Sequence, residues 1–265
     1  MRLLAILLLA APLSAQPLFP GFSFIAAGYS GKMSTDIRFD PKTTGLPPGT
    51  TINLERDLGL RTSNDIKRFA IEWRLLDRHQ LDASYFSARR NGFRNINEQI
   101  TFGDQTYPVN AAVSTRMRID FRDLAYTYWA HKTPMSGIGV TLGVSALKIY
   151  AQVAAQRPNE PAISLRENAS TDVPVPLIGL QFRQALASRL FAEVRGAFLP
   201  DVRVQQIRAN ALTGNARLEY RVARFLGIGA GYNYFDLCGD VSRSGFLGTL
   251  DMRVQGAEVY ARLVY

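Results

Sequence analysis

The chain carries two histidines, His79 and His131, and one cysteine, Cys238. A serine or cysteine nucleophile needs its base within hydrogen-bond reach. Neither histidine belongs to a His-x-Ser pair, and both fall in what read as the shorter turns. Nucleophile–histidine catalysis is therefore not expected, and the chain reads as a non-enzyme. Cys238 has no intramolecular partner, and no cysteine or histidine cluster has metal-ligand spacing. Neither a metal nor a cofactor is expected. Asp40, Glu55 and Asp57 could bind calcium, but they read more simply as a solvated acidic loop. Gly227-Ile228-Gly229-Ala230-Gly231 is glycine-rich like a phosphate loop, yet it lacks the nucleotide-binding spacing and opens no helix.

Charge is the more informative chemistry. Lys and Arg number 31 against 22 Asp and Glu, a formal net charge of +9. The arginines are spread singly along strands rather than gathered in a tract, so nucleic acid is not an expected partner. Glu72, Asp82, Glu193, Glu219 and Glu258, with Arg74, Arg183, Arg195, Arg217, Arg221 and Arg262, alternate with apolar residues. Long side chains of both signs on one face of a narrow barrel would cross-link its interior. The small residues Gly143, Ala197, Gly227, Gly229 and Gly231 would leave them room. A salt-bridged plug is the leading reading of this set, and a charge-lined solute path the other. A second group, Arg89, Arg90, Arg94, Arg116 and Arg118, flanks a long loop and suits the phosphates of lipopolysaccharide.

The elements that hold these residues have a period of two. Leu212, Gly214, Ala216, Leu218, Tyr220 and Val222 oppose Thr213, Asn215, Arg217, Glu219 and Arg221. Phe69, Ile71, Trp73 and Leu75 oppose Glu72 and Arg74, and Ala257, Val259, Ala261, Leu263 and Tyr265 oppose Glu258 and Arg262. In the first strand, Ile25, Ala27, Tyr29, Gly31 and Met33 form the apolar phase, expected to face lipid. Two strands change phase, which predicts β-bulges near Arg122-Asp123 and at Gly256-Ala257.

Connections alternate between short (76–79, 185–188, 223–224, with a moderate one at 131–137) and long (40–64, 91–112, 155–172, 201–206, 235–245). That alternation marks a transmembrane barrel rather than a sandwich. The expected fold is all-β: an up-and-down antiparallel barrel of about ten strands, or eight or twelve depending on how 51–55 and 100–107 are used. Both termini then lie at the short-turn, periplasmic end. Trp73, Tyr128, Trp129, Tyr220 and Tyr265 would form one aromatic girdle, and Tyr85, Phe198 and Tyr234 the other.

Met1-Arg2 followed by the apolar run Leu3–Leu13 and the small residues Ser14 and Ala15 reads as a secretory signal peptide cleaved after Ala15. Residues 16–265 then form a single barrel domain. The Ile138–Leu147 stretch is too short for a spanning helix.

The signal peptide, the alternating strands and loops, and the ending Val259-Tyr260-Ala261-Arg262-Leu263-Val264-Tyr265 resemble the small outer-membrane β-barrels of Gram-negative bacteria, broadly the OmpW-like and OmpA-like group. Stretches 52–60 and 100–107 look like loop motifs of a poorly characterised subfamily. The resemblance implies outer-membrane lipid and lipopolysaccharide as surroundings. It also implies barrel assembly machinery as a partner that reads Leu263 and Tyr265. A role in passage of small apolar molecules is implied by the resemblance alone. An outer-membrane enzyme acting on lipid and a soluble lipocalin-like binder are the rival classes. The binder would need an apolar lumen and a charged exterior.

Overall fold

The computed structural model describes residues 16–41, 49–95, 99–102, 105–107, 112–156, 165–204, 207–243 and 246–265. The expected signal peptide and its cleavage site lie outside the described residues. The strands are β1 (Phe22–Phe39), β2 (Thr51–Asn53), β3 (Ser63–Leu76), β4 (His79–Asn95), β5 (Ile100–Phe102), β6 (Gln105–Tyr107) and β7 (Ala112–Lys132). They continue with β8 (Ser136–Gln156), β9 (Leu165–Ala187), β10 (Leu190–Val204), β11 (Ile207–Ala223), β12 (Leu226–Arg243) and β13 (Phe246–Val264).

Ten of them pair antiparallel with their neighbours in chain order, and β13 pairs with β1 to close the barrel. The seam runs from Ser23↔Val264 to Phe39↔Gly248. Closure leaves no unpaired edge, which is what a strand structure in hydrocarbon requires. Of the two optional segments, 51–55 adds the short β2 beside β1, and within 100–107 β5 and β6 pair with each other in a separate two-stranded sheet. Neither enlarges the barrel.

Exposed apolar side chains form a belt. On β8 it runs through Ile138, Val140, Leu142 and Val144. With Ala146 that stretch matches the roughly 9–11 residues a tilted strand needs to cross a bilayer. Yet β8 has 21 residues and β9 has 23. The barrel therefore continues well past the belt at the long-loop end. Much of what reads as long loops at 155–172, 201–206 and 235–245 is strand.

Above the belt the polarity turns inside out, and this corrects the two expected bulges. On β7 the odd residues face the lumen throughout, from Val113, Met117 and Ile119 down to Ala125, Thr127 and Trp129. Register with β4 and β8 is unbroken through Arg122 and Asp123, and register around Gly256 is unbroken on both sides. No slip occurs. The inner face changes from apolar above to polar below, while the outer face changes from Arg116 and Arg118 to Leu124 and Tyr128. The phase of β1 is corrected too, although Ile25 and Ala27 lie at the level of Arg262 and Tyr260, below the inversion. Ile25, Ala27, Tyr29 and Met33 are buried in the lumen and not on the lipid face. Trp129 is also no girdle residue: it is 0% exposed and lies inside.

Candidate functional site: a lumen sealed at both ends

Alternation sends every second side chain inward, and near the short-turn end those side chains are charged. Glu72 of β3 reaches across to Arg183 of β9 at 2.7 Å and to Arg262 of β13 at 3.1 Å. Arg183 also meets Glu193 at 3.0 Å. Arg262 meets Glu219 at 2.9 Å, and Glu219 meets Arg221 at 3.2 Å. Arg217 pairs with Glu258 at 2.5 Å and Arg195 with Asp82 at 2.7 Å. Carboxylates and guanidiniums thus link six strands through the barrel centre. Charges this deeply buried are tolerated only when paired, and removing one partner of such a pair costs about 3–5 kcal/mol.

Of the eleven residues picked by sequence parity, ten lie in this layer. Arg74 does not: it sits half-buried at the barrel end, where its amide donates to the Gly21 carbonyl. Sequence reasoning missed Arg68, which pairs with Glu258 at 3.4 Å. Its parity with Glu72 was the available signal. The glycines make the expected room: a Cβ on Gly229 would stand 2.3 Å from the Tyr260 ring, and one on Gly231 2.9 Å from Arg217 Cγ.

Below the charged layer, the segment before β1 turns into the barrel. Leu18 and Phe19 are buried with Trp129 and Phe191. Phe19 meets Trp129 edge to face at 4.8 Å. Arg221 donates to the Pro17 carbonyl at 2.5 Å and lies 4.2 Å over the Phe191 ring. A Cβ on Gly137 would fall 2.4 Å from Phe19, so this seal depends on that glycine.

At the far end an apolar core fills the lumen, including Met33, Ile37, Phe39, Met117, Ile119, Ile149 and Met252. The 49–62 segment folds into it with Ile52, Leu54, Leu58 and Leu60 buried. One ion pair is set in this core. Arg90 bonds Glu55 and donates to Thr35 Oγ1 at 2.8 Å, while Glu55 accepts from the Thr35 amide at 2.8 Å. Arg90, 3% exposed, therefore faces inward and is unavailable to lipopolysaccharide, a correction that parity with Ala88 explains. Arg94 also points to this mouth and donates to the Arg56 carbonyl. Arg89, Arg116 and Arg118 are exposed on the outer wall, where Arg89 stands directly opposite Arg118.

Between the apolar core and the charged layer is a cavity of about 130 Å³. Its ceiling is aromatic: Phe86 stacks on Phe121 at 5.0 Å, and Phe121 meets Phe235 edge-on at 5.4 Å. Arg68, Arg195, Arg217, Asp123 and Asn215 line the side toward the charged layer.

The histidines lie at the short-turn end. His79 Nδ1 is 2.5 Å from the Tyr126 hydroxyl, and His131 is exposed. Asp40, Glu55 and Asp57 do not converge, since Arg38, Arg90 and Arg56 engage them separately. On the outer wall Asp236, Cys238 and Asp251 approach one another. Asp236 there is already held by Arg253 at 3.0 Å and by the Tyr234 hydroxyl at 2.9 Å. Leu263 and Tyr265 both face outward, and the Tyr265 amide and carbonyl pair with Phe22.

This closed up-and-down architecture is that of the outer-membrane β-barrels. Among solved structures the chain is similar to the outer membrane protease OmpT from Escherichia coli, with 9% identity, a TM-score of 0.56, and coverage of 92% of this chain and 96% of that one. It is also similar to the translocator domain of the autotransporter NalP from Neisseria meningitidis, with 12% identity, a TM-score of 0.50, and coverage of 92% and 89%. At such identities the likeness is one of fold. No family model matches the chain, and no curated protein matches it in sequence.

Proposed function

We propose that the chain is a non-enzymatic outer-membrane barrel whose resting state is closed. The observation that carries this reading is the ion-pair layer that joins β3, β4, β9, β10, β11 and β13 across the lumen. A side-chain network filling a narrow barrel is a wall and not a pore. The N-terminal seal and the 49–62 segment support the same reading from the two ends. The placement of both histidines at the short-turn end, away from the long loops, supports a non-enzymatic role. Passage of a small molecule would require the 49–62 segment to leave the mouth.

The short turns and both termini face the periplasm in this reading, and the long-loop end faces outward. Arg89, Arg116 and Arg118 then stand just above the apolar belt, at the level of lipopolysaccharide phosphates. Leu263 and Tyr265 are offered to the assembly machinery on the outer face of the closing strand.

Single-channel recording in planar bilayers tests the closed state, with folding confirmed by heat-modifiable migration. The folded protein should give no discrete steps. Discrete steps that change on Arg217→Gln or Glu219→Gln would show a conducting, charge-lined path and refute it.

A further inference from the structure

The cavity between the two plugs has the lining of a ligand site and not of a packing defect. Voids left by imperfect packing are small and apolar. This one is amphipathic, with an aromatic ceiling of Phe86, Phe121 and Phe235 facing a wall that holds Arg68, Arg195 and Arg217. Its volume of about 130 Å³ is close to the cavity of about 150 Å³ that admits benzene in another protein. One aromatic ring fits.

The polar wall has spare donors. Arg217 Nη2 and Arg195 Nε are buried without a hydrogen-bond partner. Buried polar groups are nearly always satisfied, and each exception calls for an explanation. Among the described residues of the lower lumen, six arginines (Arg68, Arg183, Arg195, Arg217, Arg221 and Arg262) share five carboxylates in ion pairs. Arg217 reaches Glu258 at 2.5 Å and Glu193 at 3.7 Å, while Arg68 meets Glu258 at 3.4 Å. A sixth carboxylate, Asp123, stands in the chamber wall with these arginines and accepts from Ser145 Oγ at 2.8 Å. The unsatisfied donors point to an acceptor beside Arg217 and Arg195, with a ring beneath the phenylalanines, and a carboxylate is the acceptor that suits guanidinium geometry.

We propose that this chamber binds a single-ring aromatic carboxylate, its ring under Phe121 and its carboxylate on Arg217 and Arg195. The ligand enters past the 49–62 segment. The chamber's polar wall is formed by Arg195 and Arg217 of the charged layer, so the assignment rests on that layer being in place.

The test is fluorine NMR of 4-fluorobenzoate with the full chain folded in zwitterionic detergent, and 4-fluorobenzyl alcohol as the neutral comparison. A saturable shift is expected for the acid, with affinity at least about tenfold above the alcohol, the scale of about 1.4 kcal/mol for one charge-assisted contact. Ala197→Leu fills the chamber and leaves every charge in place, so it should abolish the shift while heat-modifiable folding is kept. Arg217→Gln should weaken the acid about tenfold and leave the alcohol unchanged; if that variant does not fold, Ala197→Leu decides. Absence of a saturable shift, equal binding of acid and alcohol, or a shift that survives in folded Ala197→Leu would each overturn the proposal. The readout is binding and not current, so it fails separately from the closed-lumen reading.

Discussion

A Cβ on Gly256 would stand 2.1 Å from the Ser30 carbonyl oxygen and 3.1 Å from Gly31 Cα. Both neighbours are backbone of the strand that closes the barrel, so they have little freedom to move aside. Overpacking of this kind costs about 1–3 kcal/mol. Gly256→Ala should lower the urea midpoint of unfolding in lipid accordingly. Gly196→Ala, where nothing lies within 4 Å of the new Cβ, should stay within about 0.5 kcal/mol of wild type. Equal effects of the two would refute the close-approach account. At this scale the sequence was readable by parity and misleading by polarity. Ten of the eleven charged residues that parity picked lie in the lower lumen, and parity would have found Arg68 and turned Arg90 inward had it been carried further. Polarity instead suggested a bulge at Gly256, because Val254 and Val259 are both apolar and cannot share a face. In the structure they do not: Val254 faces the apolar core and Val259 faces outward.

At the scale of the element, β7 shows why strand number was legible and strand ends were not. Turn chemistry marks the short connections, so ten strands follow from counting them. The far ends carry no such mark, because the strands run past the membrane into a region where polar residues face outward and resemble loop. Arg116 and Arg118 belong to that region of β7, facing Asn91 and Arg89 of β4. Like charges directly opposite on neighbouring strands are destabilising, and Asp120 at 2.9 Å relieves only Arg118. An external anion would relieve the rest. Combined Arg89→Gln, Arg116→Gln and Arg118→Gln should remove about 1–3 kcal/mol of stability in bilayers containing lipopolysaccharide and little or none in zwitterionic detergent. Equal loss in both media would mean that the arginines serve the fold alone, and the lipopolysaccharide reading would fall.

The whole molecule is two layers of opposite polarity on one continuous set of strands. The lower layer has lipid-facing apolar residues around a charged interior; the upper has a polar wall around an apolar interior. Each layer alone resembles one of the classes that the sequence held apart, a membrane barrel and a soluble lipocalin-like binder. That is why a single phase could not describe β7, and why the chamber at the junction was invisible to a reading that carries no height along the barrel axis. The division gives the molecule a testable membrane depth. Leu142, 54% exposed at the centre of the β8 belt, should meet hydrocarbon, where an arginine costs roughly 2–4 kcal/mol. Ser114, exposed on the outer face of β7 at the opposite end, should stand in water, where the same change costs about 0–1 kcal/mol. Urea titration of Leu142→Arg and Ser114→Arg in phosphatidylcholine bilayers measures both. A large cost at Leu142 alone fixes the membrane at the lower layer. Near-neutral behaviour at both positions would mean that the belt does not meet lipid, and a large cost at Ser114 would mean that the upper wall is also immersed.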